Sequence, residues 1–378
     1  MRRLSVAFCT MLLLLGGVRP SDVRGVAIIA DPTGSQIFPT ASTVTVAGNM
    51  VFTNTIVCRL GALRQVGPNV FAPPMRVLSN DRSALRLNSI LGSASSDDSS
   101  CGQARYGWVR GYGVAADLRA GAPTPDAEFN AAGITAGFER FLNDQTVVGL
   151  SFGYAGSTTD LDVLRSKAEG DSFHLGTYMR HIADYRYTIG VAAYSHTEFD
   201  TTRYLSTPDP PTLGDFGADG LSLYLERGRI IDMGDWEIKP FGNVQYFNVR
   251  RHGFTETGGG PANIAVAGAT SEALLLGVGA RGHRSWTNRD CLQSTLEVRA
   301  RWNYEALQRA PIVTGTTGAP FATPITMTGV GGDQSFGLAG VGLIREVSSR
   351  AQMFINYDLQ FGDNVTAHIG SFGGLLNW

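Results

Sequence analysis

Gly170-Asp-Ser-Phe-His174 brings a carboxylate, a hydroxyl and an imidazole into one short run. These are the types that hydrolytic acyl transfer needs: a nucleophile, a base to take its proton and an acid to orient the base. On an extended strand, however, alternate side chains point to opposite faces, so Asp171, Ser172 and His174 cannot close a triad by themselves. A partner strand would have to help, with His196 and Glu198 facing the same interior. The other histidines, at 181, 252, 283 and 368, are scattered. Polar lining of a wet interior accounts for the same residues without catalysis and is the preferred reading, so no catalytic residue is assigned. The chain shows no phosphate loop, metal cluster or cofactor fingerprint, and Gly258-Gly-Gly-Pro261 is turn chemistry. No metal and no cofactor are expected.

The elements that must position such residues begin with a targeting segment. Met1-Arg-Arg3 followed by the apolar run Leu4–Val18 reads as a secretory signal peptide, residues 1–24, with cleavage somewhere near Ser21–Val26. Cys9 lies inside that run. Cys58, Cys101 and Cys291 remain, an odd count that permits at most one intramolecular disulfide, and the sequence leaves its pairing open. Residues 25–48, rich in Thr, Ala and Val, read as a short leader. Within 49–66 the apolar positions Phe52, Ile56, Leu60 and Leu63 recur at helical spacing, ended by Gly67 and Pro68. Residues 67–104 look like linker.

From Tyr106 the periodicity changes from helical to two. Strands are expected near 107–116, 129–141, 145–157, 169–182, 185–200, 216–231, 235–252, 270–286, 292–307, 332–346, 350–361 and 364–378. Leu221, Leu223 and Leu225 interleave with Ser222, Tyr224 and Glu226, and Leu296, Val298, Ala300, Trp302 and Tyr304 with Glu297, Arg299, Arg301, Asn303 and Glu305. An alternating strand serves a soluble sandwich or a membrane barrel equally well, and connection length separates them. Tight turns at 143–145, 183–184, 232–235, 287–291 and 347–349 alternate with long connections near 117–128, 158–168, 201–215, 253–269 and 308–331. Only the last loop, near Gly362, is short. That rhythm predicts an all-β fold, a 12-stranded antiparallel transmembrane barrel over residues 106–378.

Bulk properties agree. Charged residues make up 17%, and 47 Gly with 19 Phe, 12 Tyr and 5 Trp suit close strand approaches and aromatic girdles. Past the N-terminus no run reaches the roughly 18 apolar residues of a membrane helix. A net charge of −2 gives no field for nucleic acid, and none is expected as a partner.

Several segments, each weak alone, are specific in their order: Trp108-Val-Arg-Gly-Tyr-Gly113, Ala136-Gly-Phe-Glu139, Val148-Gly-Leu-Ser-Phe-Gly-Tyr154, Lys239-Pro-Phe241, Phe254-Thr-Glu-Thr-Gly258, Leu275-Leu-Gly-Val278, Tyr357-Asp358 and a C-terminal aromatic. From about Phe52 to Trp378 the chain resembles the translocator β-domain of the autotransporter family, also called type V secretion. The resemblance implies a barrel with an α-helix through its pore, joined to an exported passenger. Here residues 49–105 would supply helix and linker, with Arg82–Leu91 as a competing pore segment, and the passenger would be minimal. Residues 54–64 resemble the helix of self-cleaving members, which cut between two asparagines by side-chain cyclisation. Asn54 matches the first, but Thr55 replaces the second.

Phe372, Leu376 and Trp378 share one face and fit the assembly signal of outer-membrane barrels. The expected partners are therefore the outer-membrane bilayer, the barrel-assembly machinery and periplasmic chaperones, with a monomeric barrel. Gly170-Asp-Ser-Phe173 is also similar to the nucleophile block of GDSL lipases, although it starts a strand. A lumenal set of Glu198, Asp200, Glu226, Glu237, Lys239, Arg281, Glu297, Arg299, Arg301, Glu305 and Asp358 mixes both signs, which suits a filled pore better than a selective channel. The alternatives are a plugged porin-like diffusion channel or surface receptor and, further off, an outer-membrane hydrolase centred on Ser172 and His174.

Overall fold

The computed structural model describes residues 34–62, 105–119, 125–161, 166–204, 211–287, 292–308, 312–318, 323–329 and 332–377. Twelve long strands follow one helix: β1 Arg105–Leu118, β2 Ala127–Asn143, β3 Thr146–Leu161, β4 Ser166–Ala183, β5 Arg186–Arg203, β6 Thr212–Arg229, β7 Trp236–Arg251, β8 Ala269–Thr287, β9 Gln293–Gln308, β10 Ser335–Ser348, β11 Ala351–Phe361 and β12 Val365–Asn377. Each pairs antiparallel with the next, and β1 closes on β12 from Tyr106↔Asn377 to Leu118↔Val365. Closure leaves no strand edge unpaired, the condition a sheet must meet inside hydrocarbon. All twelve expected strands are present.

Two-residue periodicity now has a physical direction. Leu221, Leu223 and Leu225 of β6 point outward and are exposed, while Ser222, Tyr224 and Glu226 point inward and are buried. The same holds around the wall, where outward Phe173, Leu175, Trp302, Ile355 and Phe372 form the apolar belt. At one end the strands join by tight turns. Asp184 and Tyr185 between β4 and β5 both take left-handed backbone, at φ 49° and 62°, which suits the twist of a two-residue hairpin. The opposite end carries the long connections. In an outer-membrane barrel the turn end is periplasmic and the loop end extracellular.

Two of the long connections are folded rather than irregular. Pro324–Thr328, Ile312–Thr317, Ile264–Val266 and Phe254–Thr255 form a second, four-stranded antiparallel sheet. Its Ile264, Val266, Val313, Ile325 and Met327 are buried. A buried ion pair between Arg203 and Glu256 ties this sheet to the rim, and Glu256 also accepts from Thr212 Oγ1 at 2.8 Å and from the Ile264 amide at 2.9 Å.

Helix α1, Ile37–Ala62, lies inside the barrel with no exposed residue. It starts at Ile37, well before the helical spacing becomes legible near Asn49. The run Thr40-Ala-Ser-Thr-Val-Thr-Val46 is poor in intrinsic helix formers. The enclosing wall overrides that preference, and threonines bond back along the helix: Thr40 Oγ1 to the Gln36 carbonyl at 2.6 Å and Thr45 Oγ1 to that of Ala41 at 2.9 Å. Pro39 stands in the first turn, where its missing N–H costs nothing. The alternative pore segment Arg82–Leu91, Cys101, Cys291 and Trp378 lie outside the described residues; Cys58 is a free thiol.

Candidate functional site: the helix in the barrel lumen

The helix N-terminus is at the loop end and its C-terminus at the turn end. At the top, Ile37, Phe38, Ala41 and Val44 form one apolar cluster with the buried residues of the second sheet and with Phe129, Phe199, Phe216 and Val249 of the wall. The Phe38 ring meets that of Phe254 edge-on at 5.1 Å.

Midway, α1 leans on the wall from β3 to β6. Phe52 stacks on His174, ring centroids 4.7 Å apart. This approach requires glycine opposite: a Cβ at Gly153 would stand 2.9 Å from the Phe52 ring, and one at Gly176 would stand 3.1 Å from it. Thr53 Oγ1 lies 3.1 Å from Ser222 Oγ.

At the turn end Ile56, Val57 and Leu60 pack in a second apolar cluster with Tyr106, Phe141, Tyr178 and Tyr187 of the wall, and cations added to it reach the main chain. Arg110 Nη1 donates to the Thr55 carbonyl at 3.0 Å, Arg180 Nη1 to that of Leu60 at 2.9 Å and Lys239 Nζ to that of Gly61 at 2.9 Å. Cations suit the negative pole of a helix, and Arg180 and Lys239 satisfy carbonyls the last turn leaves open, while Arg110 bonds a carbonyl above it. Arg59 pairs with Glu139 at 3.0 Å. Lys239 is paired with Glu237 at 3.1 Å, and further cations are paired within the wall beside it. Arg281 grips Glu226 with two hydrogen bonds of 2.5 and 2.8 Å and lies over the Phe241 ring, while Arg299 grips Asp358 at 2.6 Å through both Nε and Nη2.

The expected lumenal charges are inward with two exceptions. Glu198 and Asp200 stand on the outward face of β5, whose inward positions are Thr197, Phe199 and Thr201. Near the loop end both faces of a strand leave the lipid, so polarity no longer reports direction. His196 is outward too, bonded through Nδ1 to Asp219 at 2.9 Å. The imagined lumenal set of Ser172, His174, His196 and Glu198 is therefore split across the wall. Ser172 Oγ lies 2.9 Å from Thr197 Oγ1, and neither His174 nitrogen meets a partner among the described residues. No proton path links Ser172, His174 and an acid among them.

Asn54 and Thr55 lie in mid-helix. Asn54 Oδ1 accepts from Arg301 Nη2 at 3.4 Å, and Thr55 Oγ1 donates to the Phe52 carbonyl at 2.6 Å. On this side a cavity of about 50 Å³ separates α1 from the wall, lined by Asn54, Cys58, Arg110, Arg301 and Asp358 among others. That is room for a few waters. Phe372 and Leu376 of β12 face outward, 68% and 58% exposed. Sequence reasoning did not single out Arg110, Arg180 or Glu139; their signal was inward parity on β1, β4 and β2.

Closed barrel, apolar outer belt and a helix threaded from loop end to turn end define an outer-membrane translocator. The autotransporter β-domain family profile matches residues 107–358, and the chain belongs to that family. Among solved structures, the translocator domain of the autotransporter NalP from Neisseria meningitidis superposes with a TM-score of 0.61 at 17% identity, covering 78% of this chain and 95% of that one. The β-domain of the Bordetella autotransporter BrkA gives 0.54 at 14%, covering 72% and 98%. The transport unit of AIDA-I from Escherichia coli gives 0.51 at 13%, covering 78% and 97%. At these identities the likeness is one of fold. A search of curated proteins finds no match. The protein is an outer-membrane translocator barrel of the autotransporter family.

Proposed function

We propose that this barrel carries the segment preceding α1 to the cell surface and that α1 then stays in the lumen as tether and plug. The carrying observation is the direction of α1, whose N-terminus sits at the loop end and whose C-terminus is gripped by Arg180 and Lys239 at the turn end. An epitope inserted after Asp31, probed by protease on intact cells, tests it. Cleavage from outside, with a periplasmic marker intact, supports export. Protection, while a tag at Gly259 is cut, would reverse the reading in favour of a plugged porin-like barrel. Removing residues 37–62 should raise planar-bilayer conductance sharply, because α1 is the element that fills the lumen among the described residues.

The chain reads as a non-enzymatic monomer that relies on periplasmic chaperones and the assembly machinery, which would engage β12 through Phe372, Leu376 and Trp378. Replacing all three with alanine should reduce outer-membrane insertion in pulse-labelled cells. The Asn54–Thr55 bond is taken as intact, since Thr55 replaces the asparagine of self-cleaving members and both residues are tied into α1 and the wall. Mass spectrometry of the mature protein showing a fragment beginning at Thr55, abolished by Asn54→Gln, would overturn this.

A further inference from the structure

Three arginines stand together on the outer face of the barrel at its turn end. Arg186 opens β5 and lies directly across from Arg229 of β6, and Arg227 lies across from Thr188, one outward position higher. All three are exposed and outward. None has an ion pair or side-chain hydrogen bond among the described residues, and Asp184 and Asp232 in the neighbouring turns do not reach them. Like charges directly opposite on a β-pair repel. An anion between the guanidinium groups would relieve that repulsion, and a planar guanidinium matches phosphate through paired N–H donors.

The wall beyond these arginines is grooved. On β5 the outward positions after Thr188 are Gly190 and Ala192, both small. Register places Met179 and Leu225 on either side of Gly190, and Thr177 and Leu223 on either side of Ala192. Within 4 Å of a Cβ built at Gly190 there is only Met179 Cγ, at 3.5 Å, so the floor of the trough is open. Tyr194, 49% exposed between Leu175 and Leu221, closes its far end. From Thr188 to Tyr194 the trough runs about 20 Å along the strand. A basic head and an apolar trough of that length, in a barrel placed in the outer membrane, match one kind of ligand.

We propose that an anionic glycerophospholipid of the periplasmic leaflet binds here, its phosphodiester held by Arg186, Arg229 and Arg227 and one acyl chain lying over Gly190 and Ala192. The proposal rests on the membrane location of the barrel and is independent of what the barrel exports.

The test is native mass spectrometry of the full barrel taken from mixed vesicles of phosphatidylglycerol and phosphatidylcholine. Wild type should retain phosphatidylglycerol in preference. The triple variant Arg186→Gln, Arg227→Gln, Arg229→Gln should retain about tenfold less, as the loss of charge-assisted hydrogen bonds predicts. Gly190→Leu with Ala192→Leu, which fills the trough and spares the arginines, should also lower retention. Arg345→Gln, an outward arginine on β10 facing Ser294 and Met353 rather than a second cation, should not. Equal loss with Arg345→Gln would mean a general rim charge and overturn the site. Unchanged retention in the triple variant would overturn it outright. Displacement of lipid by millimolar inorganic phosphate, with the trough variant silent, would mean a simple anion site and overturn the lipid assignment.

Discussion

Both ends of α1 are packed by apolar side chains, but they differ in what is added to that packing. At the loop end Ile37 and Phe38 are packed by apolar side chains from the wall and the second sheet, with an aromatic contact to Phe254. At the turn end Arg110, Arg180 and Lys239 reach the carbonyls of Thr55, Leu60 and Gly61. The first grip depends on which side chains the helix carries. The carbonyl donors of the second read main chain, which every helix presents, while Ile56, Val57, Leu60 and the Arg59–Glu139 pair add side-chain contacts there. A barrel that must let a changing sequence pass and then retain one segment gains from this division. The carbonyl donors at the turn end would hold any helix, and the apolar contacts at both ends select this one.

That contrast can be broken or sharpened by measurement. The largest effect is expected from Glu226→Gln, which leaves Arg281 buried without its counter-charge at the turn end, a loss of about 4 kcal/mol. The midpoint of heat-induced unfolding, read by gel mobility, should fall accordingly; an unchanged midpoint would show that the turn end is wet enough to solvate Arg281. Next comes Phe38→Ala, costing about 3 kcal/mol locally. It should appear as faster proteolysis within 252–268 and loss of amide protection at 37–45, with amides near Leu60 unaffected. Lys239→Met removes one carbonyl partner of α1 and also leaves Glu237 without its 3.1 Å partner; the helix-pole share, about 1–2 kcal/mol, should read as faster exchange in the last turn of α1. The smallest quantity is the coupling between Phe38→Ala and Lys239→Met. The sites are about 35 Å apart along the helix, so their effects should add to within about 0.5 kcal/mol. Strong coupling would mean that α1 moves as one rigid piston and that the two grips are not separate.

Much of this architecture is legible in the sequence because period-two alternation is a direct consequence of strand geometry. Leu221, Leu223 and Leu225 announce one apolar face however the strand is placed, and the alternation of short and long connections turns that face to lipid. Lumenal Glu226, Lys239, Arg281 and Arg299 are equally legible, since charge inside the belt has nowhere else to go. The signal fails where its physical basis fails. Glu198 and Asp200 lie above the lipid, where outward and inward are both wet, and their parity cannot be read from polarity. The helical nature of 37–48 is hidden by threonines and valines that prefer extended backbone. Two long connections read as loops because the short strands of the second sheet, such as Ile264–Val266, are too brief to show a period.

Compartment, closed barrel and strand count were already readable from residue order, because lipid permits only one way to satisfy the backbone of alternating strands. Which residues stand opposite one another was set by the folded barrel. The seat of Phe52 against Gly153 and Gly176, the carbonyl grip of Arg180 and Lys239, the cover over Phe38 and the facing pair Arg186 and Arg229 each join residues far apart in the chain. Register and closure set these distances, and neither is written in any local pattern.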